Sequence, residues 1–167
     1  VLSLRIVIVY SFALYLLCVY CLVILPLPSA EKARMLSGHK QQWIPFWFVR
    51  NMLGEAKPVW NQPQSWLRML GTNAFLTTAL NVLMTLPFGI YLRYYFRCSL
   101  KKTLIASFLL SLFFELTQLS GLYFIYPGSY RLFDVDDLMT NTLGGVLGYA
   151  LAGPLTRWLP SRETLDQ

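Results

Sequence analysis

The sequence predicts an all-α membrane protein with four transmembrane helices and a long aromatic loop between the first two, in one domain over residues 1–167. Of its 167 residues, 56% are hydrophobic and 13% are charged, whereas a soluble domain is about 45–50% apolar and about 25% charged. The mean hydropathy is +0.49. Four apolar stretches are long enough to cross about 30 Å of hydrocarbon. None alternates apolar and polar residues with period two, which argues against a β-barrel.

The predicted spans cover residues 4–25, 73–92, 103–125 and 138–159. The first stretch ends at Pro26 and Pro28. We expect it to be a retained helix rather than a signal peptide, because its apolar core is too long and Pro28 suits a cleavage site near Ala30 poorly. Cys18 and Cys21 lie inside this stretch, so we interpret their spacing as two small lipid- or core-facing side chains rather than a redox pair.

The short connection at residues 94–102 predicts the orientation in the membrane. It carries Arg97, Lys101 and Lys102 and no acidic residue, which is typical of a cytoplasmic loop. An even number of spans then places both termini in the cytoplasm and the other two loops outside. Over the whole chain, Lys and Arg divide evenly between the two sides, so the prediction depends on the density of charge in this one loop.

The net charge of +6 comes from scattered cations. Because no run of five or six basic residues occurs, we do not expect nucleic acid as a partner. Anionic membrane lipids are the partner that such a charge favours.

The loop at residues 26–71 is too long for a plain connection. Its aromatic residues lie near cations, and this combination is typical of the headgroup layer: Trp43, Phe46, Trp47, Phe48, Trp60 and Trp66 with Arg34, Lys40 and Arg50. We expect the loop to lie on or dip into the outer interface. The alternative is a wall or lid over a site between the helices.

Three polar residues within the spans need a reason, because an ionisable residue in a membrane helix costs about 2.5–3.5 kcal/mol. Glu115 is the only acid inside a span, and Gln118 follows on the same helical face. Asn81 reaches a similar depth from the neighbouring span if the helices rise about 1.5 Å per residue. Asn81 and Gln118 are explained either as interhelical hydrogen bonds or as parts of a site, and Glu115 either as a structural acid or as a functional one.

The densest charge in the chain lies at residues 131–141, where the fourth span begins. Asp134 is a natural N-cap, and Asp137 would then occupy the third helical position, near the positive end of the helix dipole. Capping alone does not explain Arg131, Asp136 and Asn141.

Asp137 and Asn141 share a helical face that continues through Gly144, Gly148 and Ala152. Small residues at this spacing let a neighbouring helix approach closely. Seven polar residues are thereby predicted to converge on one cleft that opens to the outer leaflet: Asn81, Glu115, Gln118, Arg131, Asp134, Asp137 and Asn141.

Three segments resemble the VanZ-like family, which is named for a teicoplanin-resistance protein: Asn81-Val-Leu-Met-Thr-Leu-Pro-Phe-Gly89, Phe114-Glu-Leu-Thr-Gln118 and Arg131-Leu-Phe-Asp-Val-Asp-Asp-Leu-Met-Thr-Asn-Thr-Leu-Gly-Gly-Val-Leu-Gly148. Ile44-Pro-Phe46 also resembles a short element of the family, and the likeness covers about residues 40–155. Thr85 departs from the bulky apolar residue that is usual there. The resemblance implies a multi-pass protein of the bacterial plasma membrane that is linked to lowered susceptibility to teicoplanin. The residues carried over are Asn81, Pro87, Gly89, Glu115, Gln118, Arg131, Asp134, Asp137, Asn141, Gly144 and Gly145.

The sequence leaves three functions open. The first is an enzyme acting on a lipid or a lipid-linked wall precursor, with Glu115, Asp134 and Asp137 as catalytic acids or bases. Asn81, Gln118, Arg131 and Asn141 would then bind substrate, while Pro87, Gly89, Gly144, Gly145 and Gly148 are structural. The second is a non-catalytic module that binds a lipid headgroup or the acyl tail of the lipoglycopeptide and changes access to the target. The third, a transporter or flippase, is disfavoured because no inverted repeat is visible.

The sequence assigns no metal and no cofactor. The carboxylates could hold a divalent ion against a phosphate-bearing headgroup. The single His39 lies in the first outer loop, and no His/Cys spacing typical of a metal site occurs.

Overall fold

The structure is a computed structural model that describes residues 4–36, 38, 40–156, 158 and 160. His39 and Leu159 lie outside the described residues. The described chain is mostly helical (73%), with eight helices: α1 (Leu4–Ile24), α2 (Ala30–Arg34), α3 (Trp47–Ala56), α4 (Pro63–Leu67), α5 (Asn73–Tyr94), α6 (Leu100–Leu119), α7 (Gly121–Phe124) and α8 (Val135–Leu155). A 3₁₀ turn spans Arg68–Gly71, and two short strands, β1 (Gln41–Gln42) and β2 (Phe133–Asp134), form a parallel pair.

Three helices in the described part of the chain, α1, α5 and α6, are long and apolar enough to cross a membrane. They correspond to the first three predicted spans. The fourth predicted span corresponds to α8, which has 21 residues and carries Asp136 and Asp137 in its first turn. By length and composition together, α8 is not among the candidate spans.

The third predicted span was placed too far along the chain. Helix α6 begins at Leu100, because the Ser99 side chain caps it, and it ends at Leu119 rather than near residue 125. The next helical segment, α7, is a left-handed turn, with φ values of 65° at Gly121, 56° at Leu122 and 57° at Tyr123. A left-handed conformation costs about 1–2 kcal/mol per non-glycine residue and cannot continue a right-handed helix.

Glycines set the close contact between α5 and α8. A Cβ atom on Gly148 would overlap the carbonyl oxygen of Leu86, and a Cβ on Gly89 would overlap the carbonyl oxygen of Gly145. Gly144 lies equally close to the α5 backbone. Gly144 and Gly148 therefore bring α8 close to α5, while Gly145 lies against Ser107 of α6.

Thr85 lies buried at the contact between α5 and α8. Its side chain is 2% exposed and lies against Gly144, where a bulkier residue would push the helices apart. Its hydroxyl oxygen lies 2.9 Å from the Asn81 carbonyl oxygen and 2.8 Å from that of Asn141. Thr85 thus links α5 to α8 directly beside the predicted cleft.

The long first loop is tied to the start of α8. The pairing of β1 with β2 places Gln42 opposite Asp134, and the Gln42 amide donates to the Asp134 carboxylate at 3.2 Å. The rings of Trp43 and Phe133 lie 4.8 Å apart. The loop therefore packs on the end of the helix bundle where α6 ends and α8 begins.

Candidate functional site

A cavity of about 480 Å³ lies between α1, α5, α6 and the start of α8. Its walls are mainly apolar, and the structure brings the seven sequence-predicted polar residues together in its lining: Asn81, Glu115, Gln118, Arg131, Asp134, Asp137 and Asn141. Leu22 and Val23 of α1 form part of the wall. None of the described residues of the 26–71 loop lines the cavity. The wall that this loop could have formed is supplied by α1.

Asp137 and Asn81 are in direct contact across the cavity wall. The Asn81 amide donates to Oδ1 of Asp137 at 2.6 Å. The second carboxylate oxygen of Asp137 makes no hydrogen bond with the described residues. This contact fixes the carboxyl group of α8 against α5 and leaves one oxygen available to a ligand.

Glu115 lies deep in the cavity and is only 3% exposed. Its Oε2 accepts a hydrogen bond of 2.9 Å from the Asp134 backbone N–H, so a carboxyl group from the middle of the chain holds the segment that precedes α8. Among the described residues, no cation is paired with it.

Gln118 and Arg131 hold the end of α1 in place. The Gln118 amide donates to the Val23 carbonyl at 3.0 Å, and the Arg131 guanidinium donates to the same carbonyl at 3.0 Å and to that of Leu25 at 3.3 Å. The last carbonyl groups of a helix have no partners within it. Gln118 and Arg131 supply hydrogen-bond donors to these carbonyl groups and so position the α1 wall of the cavity.

Asn141 lies on the cavity side of α8 and is bonded to α6. Its amide nitrogen donates to the Ser111 hydroxyl at 2.9 Å. Its Oδ1 is buried and has no hydrogen-bond partner among the described residues. A buried acceptor in this state costs about 1–3 kcal/mol and marks a place where a donor from a ligand would be stabilised.

Comparison with known protein families decides the family of the chain. The VanZ/LLP1 family model matches residues 12–156, a range that contains every residue of the cavity lining. The chain belongs to the VanZ/LLP1 family. The family resemblance drawn from the sequence is thus confirmed. No curated protein and no solved structure shows a significant match to the chain.

In this VanZ/LLP1 protein, Asp134 is the N-cap of α8, as predicted. Its side chain accepts from the Asp136 backbone N–H at 2.9 Å, which places Asp137 at the third helical position. Desolvation by burial raises the pKa of the Asp134 carboxyl above its usual range. Asp134 therefore combines a capping role with a place in the cavity lining.

Asp136 caps the helix α3, a role that the sequence does not reveal. Its carboxylate accepts from the backbone N–H groups of Phe46 at 2.6 Å and Phe48 at 2.8 Å, and the side chain is 4% exposed. It caps the first turn of α3 from 90 residues away and does not line the cavity. Only its place in the densest acidic segment was a signal, and that signal could not identify a partner so distant in the chain.

The variant Asp136→Ala is expected to lower the free energy of unfolding by about 2–3 kcal/mol, because the backbone N–H groups of Phe46 and Phe48 lose a charged acceptor. Limited proteolysis should show faster cleavage within residues 43–56. The matched control is Glu55→Gln, which alters an exposed carboxylate that accepts from Asn73 N–H at 2.8 Å and should cost far less. Equal stability of the two variants would contradict the capping role of Asp136.

Among the described residues of this VanZ/LLP1 protein, no three His, Cys, Asp or Glu side chains lie close enough together to hold a metal ion. The polar part of the cavity lining instead offers carboxyl and amide groups, one guanidinium and the Thr77 hydroxyl. Such groups can bind a headgroup and transfer protons.

Proposed function

We propose that this protein spans the bacterial plasma membrane four times and that its cavity acts on a lipid or a lipid-linked wall precursor in the outer half of the membrane. Helix α8 supplies the fourth span, because its glycine face lies against α5 over Gly144 and Gly148 and so holds it at the depth of a membrane-spanning neighbour. The short α5–α6 connection with Arg97, together with Lys101 and Lys102 in the first turn of α6, is cytoplasmic by the positive-inside rule. The cavity lies at the opposite end of these helices.

Cysteine labelling tests this orientation. In a variant that keeps only Cys98, a membrane-impermeant maleimide should label the protein after permeabilisation but not in intact cells. Glu31→Cys, placed on an otherwise cysteine-free chain, is the control and should be labelled in intact cells. Labelling of Cys98 in intact cells would reverse the topology and place the cavity at the cytoplasmic side.

The observation that carries the proposed function is the pair of carboxyl groups, Glu115 and Asp137, in one cavity with apolar walls. Each has one oxygen held by the protein and one without a hydrogen bond to the described residues. Positioned carboxyl groups of this kind transfer protons to and from a reacting group and contribute about 10²–10⁴-fold to a rate. The apolar walls suit the chain of a lipid.

A non-catalytic lipid-binding module is the second candidate. It is favoured by one observation: within the described chain, no Ser, Cys or His side chain lines the cavity, so a serine, cysteine or histidine nucleophile is lacking there. In this version the cavity holds a lipid headgroup or the acyl tail of a lipoglycopeptide. Either version would account for lowered susceptibility to teicoplanin-type lipoglycopeptides, which is the property that the family resemblance implies.

Reconstitution separates the two. Purified protein in lipid vesicles is incubated with a labelled lipid-linked wall precursor and with labelled phospholipids, and products are followed by chromatography and mass spectrometry. Chemical change that is lost in Glu115→Gln supports the enzyme. Saturable retention without change supports the binding module, and the absence of both would contradict the proposed function.

A further inference from the structure

The cavity opens sideways between α1 and α5. Leu22 of α1 and Leu80 of α5 both line it, yet they are 69% and 63% exposed. A residue that is both cavity wall and lipid-facing surface marks the rim of an opening. The opening therefore faces the hydrocarbon next to the protein.

Contacts that close the α1–α5 boundary lie on one side of this opening. The Tyr15 hydroxyl donates to the Met84 carbonyl at 2.7 Å, and the Phe12 ring lies 5.0 Å from that of Tyr91. A second, mainly apolar cavity of about 390 Å³ between the same two helices is lined by Ile8 and Pro87 among others. The boundary thus offers apolar room along much of its length.

Hydrogen-bond donors in the first cavity are directed at the protein itself. Asn81 donates to Asp137, Gln118 donates to Val23, and Arg131 donates to carbonyl groups of α1. A ligand in the cavity meets few donors that are not already engaged.

Acceptors remain. One carboxylate oxygen each of Glu115 and Asp137 has no hydrogen-bond partner among the described residues. The Oδ1 atom of Asn141, a side chain only 4% exposed, is buried without a partner in the same part of the structure. Three carboxyl groups and one guanidinium line the cavity, which favours a positively charged, donor-rich group.

We propose that the cavity takes the primary ammonium headgroup of a phospholipid, which reaches it from the bilayer through the gap between α1 and α5. This rests on the proposed function and names the class of lipid on which the cavity acts. The ammonium group donates to the free oxygens of Glu115 and Asp137. The lipid phosphate remains near Arg131, which is exposed, and the acyl chains lie against Leu22 and Leu80.

Photo-crosslinking tests the headgroup and the route together. The protein is reconstituted into vesicles that contain a photoactivatable phosphatidylethanolamine, phosphatidylglycerol or phosphatidylcholine at equal mole fraction, and the adducts are mapped by mass spectrometry. The ethanolamine lipid should label peptides containing residues 22–23 and 77–84 more strongly than phosphatidylglycerol. Phosphatidylcholine should label them weakly, because its trimethylammonium group has no N–H donor. Equal labelling by the three lipids, or labelling spread evenly over all lipid-facing helices, would overturn the proposal.

Two variants sharpen the test. Leu80→Trp narrows the opening, and Asp137→Asn removes a charged acceptor; each should reduce ethanolamine-lipid labelling on the order of tenfold, as expected for one charge-assisted hydrogen bond or a lost site. Leu109→Trp, on a lipid-facing part of α6 that is 55% exposed, is the control and should label as the unaltered protein does.

The same variants separate this proposal from the proposed function. If Leu80→Trp keeps full function in the reconstituted assay while Asp137→Asn loses it, the lateral route is wrong and the cavity still acts on a lipid. If Asp137→Asn keeps both function and selective labelling, the proposed function and the headgroup assignment both fail.

Discussion

Glu115→Gln, Asp137→Asn and Asn141→Ala are each expected to abolish the lipid-directed function while the protein still inserts and accumulates in the membrane. Gln and Asn keep the size of the side chain but remove its ability to ionise. Loss of a positioned acid or base costs about 10²–10⁴-fold in rate. The measurement is turnover or retention of labelled lipid per mole of reconstituted protein, with accumulation checked by immunoblotting of membranes.

Glu55→Gln is the control for this series, because Glu55 is an exposed carboxylate of α3 outside the cavity. Full activity of Asp137→Asn would mean that this residue serves only the start of α8, since Asn still packs and accepts hydrogen bonds there. Loss of membrane accumulation in all three variants would mean that the cavity residues are structural.

Gly148→Leu is expected to leave insertion intact and to remove both function and thermal stability in detergent. The new side chain would overlap the Leu86 carbonyl group, so α8 must move away from α5. Forcing extra methylene groups into a packed contact costs about 1–3 kcal/mol, and a shift on the order of an ångström is enough to spoil a site. Insertion survives because Leu is at least as apolar as Gly.

Ala150→Leu is the matched control, because Ala150 lies on the exposed face of α8. It should accumulate, unfold and function like the unaltered protein. Thermal unfolding in detergent and the reconstituted lipid assay measure both effects. Equal damage from the two substitutions would contradict the assignment of the glycine face to the α5 contact.

Hydropathy and helical spacing predict where the long helices lie, because both signals depend only on the nearest few residues in the sequence. The second predicted span, residues 73–92, agrees closely with α5 (Asn73–Tyr94). The fourth begins three residues before the predicted residue 138, because α8 includes its acidic first turn. Spacing by three and four residues places Asp137, Asn141, Gly144 and Gly148 on one face.

Other features leave no local signal. The left-handed turn after α6 consists of residues with positive φ, beginning at Gly121. The apolar sequence there predicts a continuation of the helix. The pairing of β1 with β2 joins two-residue strands about 90 positions apart, too short for any periodicity. The capping of α3 by Asp136 fails to be predicted for the same reason: its partners are backbone N–H groups, which every sequence contains.

The polar side chains of the cavity could be predicted only in part. Their depth and face could be predicted, but not which of them would bond to one another. Gln118 and Arg131, which the sequence predicts to bind substrate, both line the cavity and donate hydrogen bonds to the end of α1. Depth arguments cannot reveal this, because the distance of α1 from α6 depends on packing that has no sequence period.

The neighbouring acids Asp136 and Asp137 allow the most direct test of the claim that the cavity is the functional site. Both are in the first turn of α8, but only Asp137 lines the cavity, whereas Asp136 caps α3. The measurement is lipid handling by Asp136→Asn and Asp137→Asn in vesicles, alongside the thermal unfolding of each. The account predicts that Asp137→Asn loses function at nearly unchanged stability and that Asp136→Asn loses stability but retains function while folded. Function retained in Asp137→Asn, or lost equally in both folded variants, would contradict it.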